Sequence, residues 1–317
     1  MRKLRYIFLT LFVFVLAACQ PTDDVQNPKQ NSLQVVAVES FLADIVQNIA
    51  GERLEVETLM PSGLDPHSFE PTPKDVAKIS DSDILFINGA GLEEWLIDII
   101  ETLPDNQLII EASAGLESRT QAEEDHEEGE VDEEEGEHDH EYDPHFWLNP
   151  LLVVKYVENI RDGLISIDPE GTAVYTANAE NYIQQLEELD QYIEEKITQI
   201  PVDRRLIVTN HESFGYFADR YGFTVVGTIL KSVSSGASPS AQQMAELVDQ
   251  MRSSGASAIF METGSNPELA EQLSNETGIK VVYDLYTHSI SEEGGNAPNY
   301  IELMKYNVEQ IISALAN

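Results

Sequence analysis

The sequence predicts an α/β protein of two lobes with parallel-rich sheets, joined by one long rigid helix. Strand-like runs alternate with helical patterns almost throughout, which is typical of parallel sheets covered by helices. One segment interrupts the alternation, from Pro169 to Ile200, with no glycine after Gly171 and no internal proline. Two similar halves flank it, and the chain is long enough to give each half its own core.

The first half contains β-branched and aliphatic runs separated by amphipathic stretches. An Asn149-Pro150 pair marks the start of its last helix, since asparagine caps helices and proline suits their first turn. The predicted strands cover 33–39, 54–59, 83–88 and 107–111, and the predicted helices cover 41–50, 73–80, 92–103 and 151–167.

The interrupting segment predicts a helix over 169–200. Its apolar residues recur at helical spacing, among them Tyr182, Leu186, Leu189 and Ile193, and Pro201 ends it. About 30 residues in a helix span roughly 45 Å, which is more than one small domain needs. We therefore expect this helix to bridge the two lobes.

The alternation then resumes in the second half. The predicted strands cover 206–209, 224–230, 258–261 and 280–283, and the predicted helices cover 213–221, 241–253, 267–277 and 300–316. This gives an N-terminal lobe over 32–168, the linking helix over 169–200 and a C-terminal lobe over 201–317.

The first 19 residues predict an export signal. Basic residues precede an apolar stretch from Tyr6 to Ala18, which is too short to span a bilayer as a mature helix. The sequence Leu16-Ala17-Ala18-Cys19 resembles the lipobox of bacterial lipoproteins, in which cleavage leaves an acylated cysteine. The alternative is an ordinary signal peptide cut nearby. Residues 20–31 are polar and predict a flexible tether, and with Cys19 as the only cysteine no disulfide can form.

The formal net charge of −39 argues against a nucleic-acid partner, since phosphate contacts need clustered Lys and Arg and the chain has 18 in all. Fourteen of its 57 carboxylates lie in the tract Gln121–Asp143, together with His126, His138 and His140. We expect this tract to be a disordered loop, because its charges repel and it has little to bury. It is either a low-affinity metal loop or a solvated spacer.

The other four histidines stand alone: His67, His145, His211 and His288, separated by 78, 66 and 77 positions. Imidazole is the commonest transition-metal ligand, and such wide spacing requires a large fold to assemble one site. His211 and His288 follow predicted strands, and ligands of open α/β sheets gather at the carboxyl ends of strands. The pattern therefore predicts one metal site built from both lobes.

Both His67 and His145 belong to an Asp-Pro-His tripeptide. Proline stiffens the turn and thereby lowers the entropic cost of metal binding. Asp65 and Asp143 are candidates to orient the imidazoles by accepting their free N–H groups. The alternative is two surface turns that carry histidine by chance.

Four segments of the sequence resemble the zinc and manganese substrate-binding lipoproteins of ABC importers, called the cluster A-I family. They are Pro66–Thr72, the 83–88 strand ending in Asn88-Gly89, Asp143–Pro150 and His211–Phe217. The resemblance covers nearly all of the chain after the signal and implies two α/β lobes joined by a long helix, with metal in the cleft between them. It also implies that His67, His145 and His211 are ligands, and histidine at the third position is similar to zinc members, since manganese members usually have glutamate there.

The fourth ligand position is aspartate in many relatives, whereas here His288 occupies the segment that resembles it. The alternative is that His288 stays at the cleft rim and Glu262 or water completes the shell. Glu262 is a candidate ligand, a candidate acceptor behind a ligand, or a solvated or capping carboxylate near the helix that begins at about Asn266. Four neutral imidazoles favour Zn(II) over Mn(II), which prefers oxygen ligands.

The resemblance implies a protein without catalytic residues that captures Zn(II) as the transported ligand and delivers it to an ABC permease driven by its ATPase. We expect a monomer outside the cytoplasm, lipid-anchored to the cell membrane, on the periplasmic side if the cell has two membranes. One alternative is Mn(II) or Fe(II) delivery. Another is a zinc hydrolase with Glu212 or Glu262 as base, although no His-Glu-x-x-His is present. Adhesin or scaffold activity remains open.

Overall fold

Short parallel strands alternate with helices in the first half of the protein. The computed structural model describes residues 33–104, 107–120, 142–230 and 239–316. The elements of the first half are β1 (Val35–Ala37), α1 (Ser40–Ala50), β2 (Val56–Thr58), α2 (Pro73–Asp81), β3 (Ile84–Ile87), α3 (Ile97–Ile100), β4 (Leu108–Glu111), β5 (Arg119–Thr120), β6 (Tyr142–Asp143) and α4 (Pro150–Ile167).

The first sheet has the strand order β2-β1-β3-β4, and all its neighbours are parallel. Val35 lies beside Val56 on one side and Ile84 on the other, and all of β1 is buried. Because parallel strands share one carboxyl edge, the loops after β1, β2 and β3 meet at the same edge of this sheet.

Helix α5 (Thr172–Ile197) connects the halves and is 26 residues, or about 39 Å, long. Its buried residues recur every three or four positions, as the sequence pattern predicts: Tyr175, Ala179, Tyr182, Leu186, Leu189, Ile193 and Ile197 lie in the core. This face packs on α1 and α4.

The second half repeats the alternation. Its elements are β7 (Leu206–Thr209), α6 (Gly215–Tyr221), β8 (Thr224–Thr228), α7 (Ala241–Ser254), β9 (Ala258–Glu262), α8 (Glu268–Thr277), β10 (Lys280–Leu285) and α9 (Tyr300–Leu315). The second sheet has the order β10-β9-β7-β8, again fully parallel. Helix α9 returns to pack on α5 and α1, and one buried apolar cluster runs through both lobes.

The predicted fold class is confirmed, but two helices differ from their predicted bounds by more than two residues. The predicted helix over 92–103 is a 3₁₀ turn followed by the four-residue α3. The carboxylate of Glu93 accepts the backbone N–H groups of Asn88 and Gly89, so Glu93 stays outside the helix. The predicted helix from Pro169 begins instead at Thr172, after a 3₁₀ turn in which Asp168 binds Arg53 and Tyr175.

Strands β5 and β6 form a small antiparallel pair that the sequence did not predict. Tyr142 and Asp143 therefore belong to a strand, although we expected them in the disordered acidic loop. Among the described residues, no helix is long and apolar enough to cross a membrane.

Candidate metal centre

His67, His145, His211 and His288 meet between the carboxyl edges of the two sheets. Nε2 of His145 lies 3.3 Å from Nε2 of His67, 3.2 Å from Nε2 of His211 and 3.2 Å from Nε2 of His288. The four candidate ligand atoms all lie within 4.8 Å of one another. A tetrahedral zinc ion with bonds of about 2.0–2.1 Å separates its ligand atoms by about 3.3–3.4 Å. The cluster is therefore close to the size that such an ion requires.

His67 lies in a 3₁₀ turn after β2 that contains its Asp-Pro-His tripeptide. Oδ1 of Asp65 accepts the backbone N–H of His67 at 3.0 Å, and Pro66 supplies a fixed φ at the start of the turn. The indole Nε1 of Trp95 donates to the carbonyl of Pro66 at 3.0 Å. These contacts fix the turn before any ion arrives.

His145 is held by the second Asp-Pro-His tripeptide and is fully buried. Oδ1 of Asp143 accepts the backbone N–H of His145 at 3.0 Å and lies 2.8 Å from its ring Nδ1. The side chain of Asn88, at the carboxyl edge of the first sheet, donates to the carbonyl of Pro144 at 3.1 Å. Asp143 thus orients the imidazole, and Asn88 attaches the turn to the sheet.

His211 follows β7 and faces Glu262, the last residue of β9. Nδ1 of His211 lies 2.8 Å from Oε1 of Glu262, within ion-pair distance. Ser213 Oγ donates to the same carboxylate oxygen at 3.2 Å. At this distance the attraction is electrostatic and holds the ring against the carboxylate.

His288 follows β10 and shares the same carboxylate. Thr287 Oγ1 donates to Oε2 of Glu262 at 2.8 Å and lies 3.1 Å from Nδ1 of His288, which is itself 3.4 Å from Oε2. Because the threonine proton points to Glu262, Oγ1 is left to accept the Nδ1–H of His288. Trp147 joins this segment to the first lobe, since its Nε1 donates to the carbonyl of Thr287 at 2.6 Å.

These partners determine which ring nitrogen carries the proton. Acceptors lie beside Nδ1 of His145, His211 and His288, so the lone pair of each neutral ring is on Nε2. Lone pairs that face each other at 3.2 Å repel unless a cation lies between them. The arrangement therefore suits a positive ion at the centre of the cluster, with the carboxylates behind the ligands.

Burial dominates the acid–base behaviour of three of the rings. Burial lowers the pKa of His67 to about 3 and lowers the pKa values of His145 and His288 well below the ordinary histidine value. These three imidazoles are neutral at neutral pH and need not lose a proton to bind metal.

His211 behaves differently. Burial disfavours its charged form, but the Glu262 carboxylate outweighs burial and raises the pKa of His211 above the ordinary value. Burial in turn works to raise the pKa of Glu262, yet His211 lowers it to about 2. Below its raised pKa, metal-free His211 is protonated and forms an ion pair with Glu262, so a metal ion bound at His211 would have to displace that proton.

A cavity of about 450 Å³ opens beside the cluster. Its walls come from both lobes and include Gly63, Asp65, Asn210, Glu262, His288 and Ser289. Burial raises the pKa of Asp65 above the usual range of a carboxyl group. His288 is the member of the cluster among these lining residues, and His67 is half-buried whereas the other three histidines are buried.

The structure brings together the four isolated histidines and places Asp65, Asp143 and Glu262 around them. The expectation that Glu262 caps a helix or is solvated is wrong, because Glu262 is buried and Asn266 Oδ1 accepts the first N–H of α8. His126, His138, His140 and Cys19 lie outside the described residues, so their roles stay predictions.

Sequence reasoning missed the polar groups that contact the candidate ligands or the residues beside them. Ser213 and Thr287 bind Glu262, and Asn88 binds the His145 turn. Thr287 is next to His288 and Ser213 is two positions from His211, so a search for hydroxyl groups beside ligands would have found both. Asn88 has no such local signal, because the fold alone brings it near Pro144.

Two parallel-sheet lobes on one long helix, with a histidine cluster where the lobes meet, are the architecture of metal-binding substrate-binding proteins of ABC importers. A family model described as zinc-uptake complex component A, periplasmic (ZnuA), matches residues 35–314. The chain belongs to this family, which confirms the resemblance inferred from its motifs. Its members are substrate-binding proteins, so the hydrolase alternative is wrong.

Similar proteins are named for different metals. The manganese-binding lipoprotein MntA of Halalkalibacterium halodurans is 35% identical over 317 residues, which is 100% of both chains. The periplasmic zinc binding protein TroA of Treponema pallidum matches with a TM-score of 0.79 at 27% identity, over 90% of this chain and 100% of TroA. The manganese-bound periplasmic metal binding protein of Candidatus Liberibacter asiaticus matches with a TM-score of 0.76 at 28% identity, over 89% and 99% of the two chains.

Proposed function

We propose that this protein is the extracytoplasmic Zn(II)-binding component of an ABC importer, which captures zinc between its lobes and delivers it to a membrane permease. His67, His145, His211 and His288 are the ligands in this proposal. Asp143 and Glu262 orient the imidazoles from behind.

The observation that carries the choice of zinc is the all-nitrogen donor set. Nε2 of His145 lies 3.2–3.3 Å from Nε2 of each of the other three histidines, close to the separation in a tetrahedral ion, and the carboxylates of Asp143 and Glu262 face Nδ1 atoms. Imidazole suits zinc, and zinc is almost always tetrahedral where four protein groups hold it. Manganese prefers carboxylate, carbonyl and water oxygens.

Manganese is the second candidate, because the relative from Halalkalibacterium halodurans is named for manganese. In that case a carboxylate has to turn towards the ion. Glu262 is a candidate, since its oxygens lie 2.8 Å and 3.4 Å from ring nitrogens of two proposed ligands.

Metal competition on the purified protein without its first 31 residues distinguishes the two metals. The protein is loaded with Mn(II), titrated with Zn(II), and followed by the electron paramagnetic resonance signal of released manganese. We expect stoichiometric displacement by one zinc ion. If manganese instead displaces bound zinc at comparable concentration, the proposal of zinc is overturned.

Elemental analysis of two variants tests the ligand set. His211→Ala and His288→Ala should each lower the zinc content of protein dialysed against dilute chelator, since each removes one of four ligands. His138→Ala removes a histidine of the acidic tract and is the matched control, with an expected content of one zinc. Unchanged zinc in His288→Ala would reassign the fourth position.

Membrane attachment through Cys19 is part of the proposal, supported by the lipobox-like sequence and by relatives named lipoproteins. The family's association with ABC importers supports a permease and its ATPase as partners. Cys19→Ser should release the protein from the membrane fraction of producing cells. Retention of the variant in that fraction would exclude a lipid anchor at this position.

A further inference from the structure

Arg119 connects the two lobes close to the metal centre. It lies in β5 of the first lobe, and its guanidinium reaches α6 of the second lobe. There Nη1 donates to the carbonyl of Gly215 at 3.0 Å and forms an ion pair with Asp219. Helix α6 begins four residues after His211, so this contact joins the His211 lobe to the strand pair that ends at Asp143.

The same guanidinium faces the carboxylate behind His145. Nε of Arg119 lies 3.8 Å from Oδ2 of Asp143, whose other oxygen, Oδ1, lies 2.8 Å from Nδ1 of His145. The side chain of Asp143 is 4% exposed, so water screens this interaction poorly. The groups form a continuous series from Asp219 through Arg119 and Asp143 to His145.

The backbone holds this series in place. Arg119 N–H donates to the hydroxyl oxygen of Tyr216 at 2.9 Å, and that hydroxyl donates to the carbonyl of Asp143 at 2.7 Å. A Cβ at Gly215 would lie 2.6 Å from Oδ2 of Asp143 and 2.7 Å from Nε of Arg119. Only a residue without a side chain lets α6 approach the pair so closely.

We propose that Arg119 is a positioning residue of the metal centre, which sets metal affinity by holding Asp143 against His145 and by tying both to helix α6. The inference rests on the proposed function, because it assumes that the histidine cluster binds metal. The physical reason is that a carboxylate which orients a ligand imidazole must itself be held, and groups at this distance from a metal tune its affinity.

The test compares zinc affinities of variants by competition with a chromogenic chelator. Arg119→Gln should weaken zinc binding by about 10- to 100-fold, the usual effect of removing a group that supports a ligand. Arg161→Gln is the matched control, since Arg161 pairs with Asp162 on α4 and has the same charge. Arg119→Lys should recover part of the loss, because it keeps the charge but cannot contact both carboxylates in the same way.

A double-mutant cycle separates positioning from general structural damage. In the Asp143→Asn background, Arg119→Gln should have much less effect than in the natural protein, because the carboxylate through which it acts is already gone. Equal losses in both backgrounds would overturn the proposal, as would equal affinities of Arg119→Gln and Arg161→Gln. Circular dichroism of each metal-free variant checks that the fold is retained.

The tie to α6 is tested separately with Asp219→Asn, using Asp162→Asn as its charge-matched control. Asp219→Asn should weaken zinc binding less than Arg119→Gln does but more than its control, since Asp143 keeps its cation. An affinity equal to that of the control would show that the contact with α6 does not affect metal binding.

If the natural protein binds no metal at all, the proposed function fails, whereas a normal affinity in Arg119→Gln refutes only this inference.

Discussion

Glu262 contacts two candidate ligands of the second lobe with one carboxylate. Its Oε1 contacts His211, and its Oε2 accepts from Thr287 beside His288. A buried charge is stable only when it is paired and hydrogen-bonded, and both conditions are met here. When metal displaces the proton of His211, the positive charge is replaced within the same cluster, so Glu262 keeps a favourable partner in both states.

Glu262→Gln tests this role. The amide keeps the shape but loses the charge, so it neither attracts the metal nor stabilises the Nδ1–H groups equally well. We expect zinc affinity to fall by about 10- to 100-fold, measured by chelator competition. Glu271→Gln, at an exposed position of α8, is the control and should match the natural protein. An unchanged affinity in Glu262→Gln would show that His211 and His288 do not depend on this carboxylate.

The pKa shifts predict how many protons zinc displaces. At pH 6 the raised pKa of His211 leaves this ring protonated, and burial raises the pKa of Asp143 to about 7, so that this carboxyl is also largely protonated. His67, His145 and His288 have lowered pKa values and are already neutral. Binding favours neutral His211 and ionised Asp143, so we expect release of about two protons per zinc at pH 6.

Calorimetric titration in buffers of different ionisation enthalpy measures this number. We expect zinc affinity to rise as the pH increases towards the pKa of His211. Above that pKa the ring is already neutral, so zinc has no proton to displace from it. Four ordinary imidazoles with pKa of about 6.5 would release about three protons at pH 6. Zinc binding to Asp143→Asn should release one proton fewer than binding to the natural protein. If both proteins release the same number, Asp143 does not lose a proton on binding.

At the residue scale, the sequence predicts the candidate ligands better than it predicts the side chains that orient them. Asp-Pro-His is a local pattern whose stiffness follows from proline, so His67 and His145 could be singled out from the chain alone. The pairing of Glu262 with His211 depends on the parallel contact of β7 with β9. No local pattern encodes this contact, and a carboxylate before a helix is more often a cap.

Helix α5 illustrates how one element can stabilise both lobes. Its buried face packs on α1 and α4 of the first lobe and on α9, the last helix of the second half. Its composition favours a helix, but most of its stability comes from this packing. Damage to the α5 face should therefore destabilise the whole protein.

Leu186→Ala tests this expectation. Leu186 is fully buried at the middle of α5, so the substitution leaves a cavity and should lower the free energy of unfolding by about 2–5 kcal/mol. Urea denaturation of the metal-free protein measures the change. Glu187→Ala, one position away and exposed, should change it by less than about 0.5 kcal/mol. Similar values for the two variants would show that this face contributes little.

At the element scale, the strands and most helices could be predicted because each keeps a clear period. The late start of the helix expected over 92–103 could not be predicted, because Glu93 has ordinary helix propensity. Its side chain instead accepts the backbone N–H groups of Asn88 and Gly89, a contact that depends on the conformation of the loop. The β5–β6 pair was missed for another reason. Two-residue strands flanking a long acidic tract are too short to show alternation.

In the described residues, the largest buried apolar cluster includes residues of both lobes, from Phe41 of α1 to Phe260 of β9 and Tyr300 of α9, and each lobe has a smaller cluster of its own. Lobes that share a core unfold together, whereas lobes with separate cores unfold independently. This organisation also leaves little freedom for a wide hinge motion, because α5 and α9 would have to separate.

Unfolding in urea should accordingly be one transition. Both tryptophans, Trp95 and Trp147, lie in the first lobe, and Trp147 also contacts Thr287 of the second, so their fluorescence reports the first lobe and its contact with the second. Far-ultraviolet circular dichroism reports helices of both lobes. We expect the two curves for the metal-free protein to coincide. A fluorescence transition at lower urea than the dichroism transition would show that the first lobe unfolds independently.

The tryptophans have a practical consequence. The indole of Trp95 donates to Pro66 beside His67, and the ring centre of Trp147 lies 5.2 Å from that of His145. Both indoles of the chain thus contact a turn that carries a candidate ligand, so all of the tryptophan fluorescence comes from the neighbourhood of the site. The protein contains its own optical reporter of occupancy, so capture and hand-over of cargo can be timed without attaching a dye.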